Sequence, residues 1–349
     1  MNSCRLRHLV LWATLGVVAF GCSPVPEAKR DHVEIGFSIA TDSFILERWN
    51  RDLKVFTGAA RDLGAEVIVQ LSAGGTAEQI AQIDYLLTKD IDVLVVVAHD
   101  TTMVAPAIRR ARAKNVPVIA YDRLIMGVPV DAYVSFNNRD VGRRMARALV
   151  GAVPTGHYLV VNGATKDSNS FEVNAGLHDI LDPAAGRGPL TVVKEIWLDD
   201  WSSDEALDKI GKVFDQRTDI QAIACANDQL AEAAIQVLAE HRLAGQVAVV
   251  GQDADTGACQ KIVEGTQLMT VYKPLAKLAT RAAEVAVALA HHQSPQPDRH
   301  VDNKSGTPVP YFVEETQSVF RSNMDDTIIK DGFRTADDVY RNTPDPGKR

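Results

Sequence analysis

Four polar strings in this chain each follow an apolar, β-branched run: Tyr121-Asp122-Arg123, Ala226-Asn227-Asp228, Gly251–Asp255 and Val271–Pro274. Short apolar runs of this kind read as buried strands. In an open parallel sheet, ligands bind in the crevice outside the carboxyl ends of the strands. Asp122, Arg123, Asn227, Asp253 and Lys273 are therefore aimed at one crevice. The set mixes carboxylate acceptors with guanidinium, amide and ammonium donors. A small polyhydroxy ligand, whose hydroxyls each donate and accept, matches that mix. A sugar also has an apolar C–H face that needs an aromatic plate. Trp201, just ahead of a capped helix, offers one, and so do Phe44 and Trp49.

Each residue has a plainer reading. Asp122 and Arg123 also suit a structural ion pair. Asn227-Asp228 precedes a helix, and Asp228 is the expected N-cap. Asp253 and Asp255 suit turns, Lys273 a solvated loop, and Trp49 core packing at its helical spacing. No single residue is specific; their convergence on strand ends is.

The motifs of other chemistries are missing. There is no Gly-rich phosphate loop, GxSxG or HExxH string. His157, His241, His291 and His292 are scattered away from the strand ends. No catalytic residue, metal or cofactor is expected, and the chain reads as a non-enzyme. A net charge of −8 argues against a nucleic-acid surface.

The elements that must position these residues alternate along the chain. Strands are expected at Val33–Ala40, Glu66–Leu71, Val93–Ala98, Val116–Tyr121 and Ala132–Phe136. Helices fall between them, including Leu46–Leu63, closed by Gly64, and Met103–Lys114. The pattern restarts with a helix at Arg139–Val153. Strands follow at His157–Val161, Leu190–Trp197, Ile220–Cys225, Val247–Val250 and Leu268–Tyr272, again separated by helices. Ser202 and Glu205 form an expected capping box. Ser294–Pro308 reads as loop, and Tyr311–Phe320 as a late extended segment. The fold class is α/β, with two similar lobes built on parallel sheets.

The first 22 residues read as an export signal. Arg5 and Arg7 precede the apolar run Leu9–Phe20, and Ala19-Phe20-Gly21 leads into Cys22. The run is short for a membrane span. The segment resembles a bacterial lipoprotein signal, which implies lipid attachment at Cys22 and anchoring to a membrane through the lipid alone. Residues 23–31, rich in Pro and polar residues, suit a tether. Cys225 and Cys259 remain, and free buried thiols are expected.

Leu46–Trp49 (LERW), Val93–Val97 (VLVVV), Ala120–Arg123 (AYDR) and Ser135–Asn138 (SFNN) resemble the type I periplasmic sugar-binding proteins of ABC transport. So do AND, GQDAD, Met269–Pro274 (MTVYKP) and Ile329–Phe333 (IKDGF). The likeness is greatest to the D-xylose-binding branch and runs from Val33 to Phe333. It implies two Rossmann-like lobes joined by a three-crossing hinge. One lobe comprises 32–137 plus 273–292, the other 138–272 plus 305–340. By resemblance Asp122, Arg123, Trp201, Asn227, Asp253 and Lys273 match ligand positions in type. Asn137 and Asn174 stand where the branch has an Asp and an Arg, and Ile45 where it has another Arg. The resemblance implies an exported monomer that closes over a monosaccharide and presents it to an ABC permease. The alternative is an anchored sensor read by a histidine kinase or chemoreceptor ectodomain.

Overall fold

The structure, a computed structural model, describes residues 32–41 and 46–343. The expected signal and tether, Cys22, Phe44 and Ile45 lie outside the described residues.

The elements run β1 (Val33–Ala40), α1 (Leu46–Asp62), β2 (Ala65–Ser72), α2 (Thr76–Leu86), β3 (Val93–Val97), α3 (Ala105–Ala113), β4 (Val118–Tyr121) and β5 (Ala132–Phe136). Then come α4 (Asn138–Ala152), β6 (Gly156–Ala164), α5 (Ser168–Ala185), β7 (Leu190–Leu198), α6 (Ser203–Phe214), β8 (Ala222–Cys225), α7 (Asp228–Glu240), β9 (Ala248–Gln252), α8 (Thr256–Glu264) and β10 (Met269–Tyr272). The chain ends with α9 (Leu275–Ala290), β11 (Arg299–Val301), β12 (Val309–Glu314), β13 (Gln317–Val319) and α10 (Ala336–Val339).

Two sheets form. The first has the order β11-β12-β5-β4-β3-β1-β2, and the second β13-β10-β9-β8-β6-β7. Within each, the five consecutive strands share one parallel order, 2-1-3-4-5 in lobe numbering, so the second lobe repeats the first. Both faces of each sheet are covered, which is why β3 is a run of five buried aliphatics. Val93, Val95 and Val97 pack with Trp49 and Phe56 of α1 and Leu278 of α9. Leu94 and Val96 point the other way, against Ile83 of α2 and Ile108 of α3. In the second sheet Leu159 and Val161 face α6 and α7, while Tyr158 and Val160 face α4 and α5.

The chain passes between the sheets three times. It leaves the first after β5, at Asn137. It returns from β10 through Lys273-Pro274 into α9, whose apolar face packs on the first sheet. It leaves again between β12, which pairs with β5, and β13, which pairs with β10. The stretch 305–340, expected with the second lobe, is therefore divided: Val309–Glu314 belongs to the first sheet. Tyr311–Phe320 is two strands rather than one, and the expected loop at 294–308 contains β11. Helix α3 begins at Ala105 rather than Met103, because Pro106 suits a first turn. Beyond β13 a π-helical turn at Asp325–Ile329 and α10 pack on the second lobe around Ile328, Val339 and Tyr340.

Cys225 and Cys259 are free and buried, as expected. Among the described residues no helix is long and apolar enough to cross a membrane.

Candidate functional site

The repeat places two carboxylates in equivalent positions. Asp122 follows β4 and Asp253 follows β9, the fourth strand of each lobe. Both adopt left-handed backbone conformations, with φ of 62° and 98°. The Asp122 N–H donates to Val134 O of β5, and the Asp253 N–H to Val271 O of β10, each at 2.8 Å. Non-glycine residues rarely adopt such φ values, and they cluster at functional sites. Here the turn tips each side chain off its strand end.

Asp122 anchors the first lobe's part of the site. Ser135 Oγ and Tyr133 OH donate to its carbonyl at 2.6 and 3.1 Å. Asn169 Nδ2 donates to its Oδ1 at 3.1 Å, and Arg48 Nη2 donates to its Oδ2. Burial alone would raise the Asp122 pKa; Arg48, Lys273 and Arg123 outweigh burial and hold the carboxyl below its ordinary value. Burial opposes the charge on Arg48, but Asp122, Asp253 and Asp52 overcome it and raise its pKa.

Arg123 crosses to the second lobe. Its Nε lies 2.8 Å from Asp167 Oδ2, with both side chains about 4% exposed. Its Nη1 donates to Ala98 O at 3.0 Å. Trp201 Nε1 donates to the same Asp167 oxygen at 3.1 Å. The benzo edge of Trp201 lies against Gly163, where a Cβ would clash with its Cη2 and Cζ2. Trp201 is thus held by Asp167 at its Nε1 and packs its benzo edge against bare backbone. Thr101 N–H donates to Lys166 O at 3.1 Å, a further contact between the lobes.

Lys273 stands at the second crossing, only 3% exposed, with Nζ 3.4 Å from Asp253 Oδ1 and 5.7 Å from the centre of the Phe136 ring. Asp253 Oδ1 is buried and accepts no hydrogen bond. Asn227 caps α7 through Oδ1, which accepts from Leu230 N–H at 3.0 Å. The expectation that Asp228 is the cap is therefore corrected by one residue. Asp228 instead opens α7 and ties the strand ends together, accepting from Gln267, Thr270 Oγ1 and Asp255 N–H. Burial, with Asp255 and Asp253 nearby, pushes its carboxyl well above the ordinary range.

A cavity of about 230 Å³ is lined among others by Arg48, Arg51, Asn227, Asp253, Leu275 and Arg334; of the expected ligand residues Asn227 and Asp253 line it, while Asp122, Arg123, Trp201 and Lys273 do not. Pockets for drug-sized ligands measure roughly 300–1,000 Å³, so this smaller space suits something near one sugar ring. Its polar groups combine the charged Arg48, Arg51, Asp253 and Arg334 with the neutral Asn227, Gln229 and Thr256. Among the described residues, no cluster of His, Cys, Asp and Glu suited to a metal ion is found.

Two expected residues sit apart. Asn137 caps α4, its Oδ1 accepting from Asp140 N–H at 3.3 Å. Asn174 donates to Asn162 Oδ1 at 3.0 Å and to Glu195 Oε2 at 3.1 Å, a network on α5, β6 and β7. Trp49 is 2% exposed and carries the Arg48 guanidinium 4.6 Å over its ring, in keeping with a packing role. The strand-end rule missed Arg48, Asp167 and Asn169. Asp167 and Asn169 follow β6, so the same rule applied to that strand finds them. Arg48 stands in the first turn of α1, in the LERW string itself.

Tandem 2-1-3-4-5 sheets, three crossings and an inter-lobe cavity of charged and neutral polar groups define a two-lobed solute-binding architecture. The periplasmic binding protein domain matches residues 40–294, and the chain belongs to that family. It is 38% identical to the D-xylose-binding periplasmic protein of Haemophilus influenzae over 90% of this chain and 94% of that protein. It is 38% identical to the protein of the same name from Escherichia coli, over 88% of this chain and 92% of that one. A solved carbohydrate transporter solute-binding protein from Chloroflexus aurantiacus, in complex with D-glucose, superposes with a TM-score of 0.82. It is 28% identical, covering 88% of this chain and 98% of that one.

Proposed function

We propose that this protein is an extracytoplasmic receptor that binds one monosaccharide between its lobes and delivers it to an ABC permease. It is a binding protein and not an enzyme. The observation that carries the reading is the pair Asp122 and Asp253, one from each lobe and each in a left-handed conformation, joined to Arg48 and Lys273 respectively, with Arg48, Asn227 and Asp253 lining a cavity of sugar-ring size. Each lobe supplies acceptors and donors, so a sugar bridging them favours the closed arrangement by its differential contacts.

We assign ligand contacts to Arg48, Asp122, Arg123, Asn227, Asp253 and Lys273, with Trp201 as the plate. D-xylose, the sugar named for the two relatives, is the first candidate ligand, with other aldopentoses and aldohexoses next. A monomer, anchored outside the cytoplasmic membrane by a lipid on Cys22, completes the proposal. Thermal denaturation against a panel of monosaccharides tests it. A ligand present at about 100 times its Kd stabilises by about 2.7 kcal/mol, a readily measured rise in Tm. No rise with any sugar at millimolar concentration contradicts it.

A further inference from the structure

Behind Arg48, on the side away from the cavity, lies a buried carboxyl that touches no expected ligand position. Asp52 is one helical turn further along α1 and fully buried. The Tyr121 hydroxyl donates to its Oδ1. Its Oδ2 faces Arg48 Nε at 3.6 Å, too far for a hydrogen bond. Neither of these two buried atoms has any hydrogen-bond partner. A small movement of the guanidinium closes the gap. Arg48 therefore stands between two carboxylates, joined to Asp122 by Nη2 and facing Asp52 with Nε.

We infer that Asp52 is a positioning residue for the sugar site: its carboxylate seats Arg48 so that the guanidinium edge facing the cavity is fixed for ligand. The inference rests on the sugar-receptor reading above. A charged Asp52 closes the Nε contact and holds the fork in one orientation; a neutral Asp52 releases it. Preorganised donors bind more tightly because less ordering is left to the ligand.

The surroundings leave Arg48 as the only cation against Asp52 among the described residues packed on it. From β4 come the Tyr121 hydroxyl and the negative Asp122. Strand β1 and helix α9 bring apolar side chains, Phe37, Leu275, Leu278 and Ala282, into one core cluster with Trp49 and Phe56 of α1. Of the charged residues on α9, Lys277 and Glu284 are exposed and Arg281 pairs with Asp298 and Glu314. Burial raises the Asp52 carboxyl to about 7, against the opposing pull of Arg48 and the Tyr121 bond. Asp52 thus changes charge near neutrality.

Two linked effects have opposite signs. A carboxyl whose folded pKa exceeds its unfolded value contributes stability that is fully present below the unfolded pKa and is lost as pH rises through about 7. Sugar affinity moves the other way, because the seated Arg48 requires the charged form. If the sugar lowers the Asp52 pKa by about one unit, affinity rises roughly fivefold from about pH 6 to about pH 8. A merely structural carboxyl shows only the loss of stability.

The test measures D-xylose affinity by calorimetry between those pH values for the wild type and for Asp52→Asn. The wild type is expected to gain about fivefold, and the variant to bind more weakly at high pH with a flat profile. In parallel, ¹⁹F spectra of the sugar-free protein labelled with 5-fluorotryptophan follow Trp49, whose ring lies under Arg48. Its resonance is expected to titrate near neutrality in the wild type and not in Asp52→Asn. A wild-type affinity that is flat with pH, or a variant that keeps the wild-type profile, overturns the inference. If no monosaccharide binds, the receptor reading fails, and the Trp49 resonance alone decides the role of Asp52: no titration refutes it. The wild-type measurements stand even if the variant does not fold.

Discussion

Replacing Asp253 by Ala removes the acceptor that the second lobe offers most directly. Its Oδ1 is buried, accepts no hydrogen bond, and has Lys273 Nζ at 3.4 Å as its charged neighbour. A sugar hydroxyl donating to it forms a charge-assisted bond worth about 1.5–3 kcal/mol. At about 1.4 kcal/mol per decade, Kd rises roughly 10- to 150-fold. Two secondary effects push the value upward. Lys273, 3% exposed, loses its neighbouring carboxylate. Ala also tolerates a φ of 98° less well than a residue with a short polar side chain. Asp253→Asn separates these contributions, since it keeps the shape, one acceptor and the tolerance of positive φ. Calorimetric titration with the sugar that stabilises the wild type measures both variants, with circular dichroism confirming the fold. The expected order of affinity is wild type, then Asn, then Ala. A folded Asp253→Ala protein with unchanged Kd refutes the assignment of Asp253 and the paired-carboxylate reasoning with it.

Gly163→Ala drives a methyl group into the Cη2–Cζ2 edge of Trp201 and is expected to break the Trp201–Asp167 hydrogen bond by displacing the indole. Overpacking of this kind costs about 1–3 kcal/mol in stability; the expected result is a lower Tm, altered tryptophan emission and weaker sugar binding, and unchanged emission would contradict the placement of the ring. Cys22→Ser is expected to move the protein from the detergent phase to the aqueous phase on partitioning, whereas retention in the detergent phase removes lipid attachment at Cys22.

Much of this fold was legible because the lobes are built from buried parallel strands. Val93–Val97 reads as a strand whichever face is considered, since both are covered. The late strands were harder: β12 and β13 are separated by two residues yet belong to different sheets, and nothing in local composition marks that switch. The strand-end residues were legible by position: Asn227 and Asp253 line the cavity, Asp122 and Lys273 are buried against its lining residues Arg48 and Asp253, and Arg123 pairs with Asp167. Residues acting from helices escaped the same rule. Arg48 and Asp52 are recognisable as one face of α1 only after α1 is docked against β4. The choice between Asn227 and Asp228 as cap turned on a single residue of helix phase, below the resolution of a propensity argument. Asn174 was named by resemblance alone, and its amide donates to Asn162 and Glu195.

Direct titration of the purified wild-type protein with D-xylose tests the central claim, that one sugar is held between the lobes. Saturable heat with one site per chain is predicted, falling away in Asp253→Ala and in a first-lobe variant, Arg48→Met, alike. Absence of binding by D-xylose and by every other monosaccharide tried, in a protein that unfolds cooperatively, would contradict it.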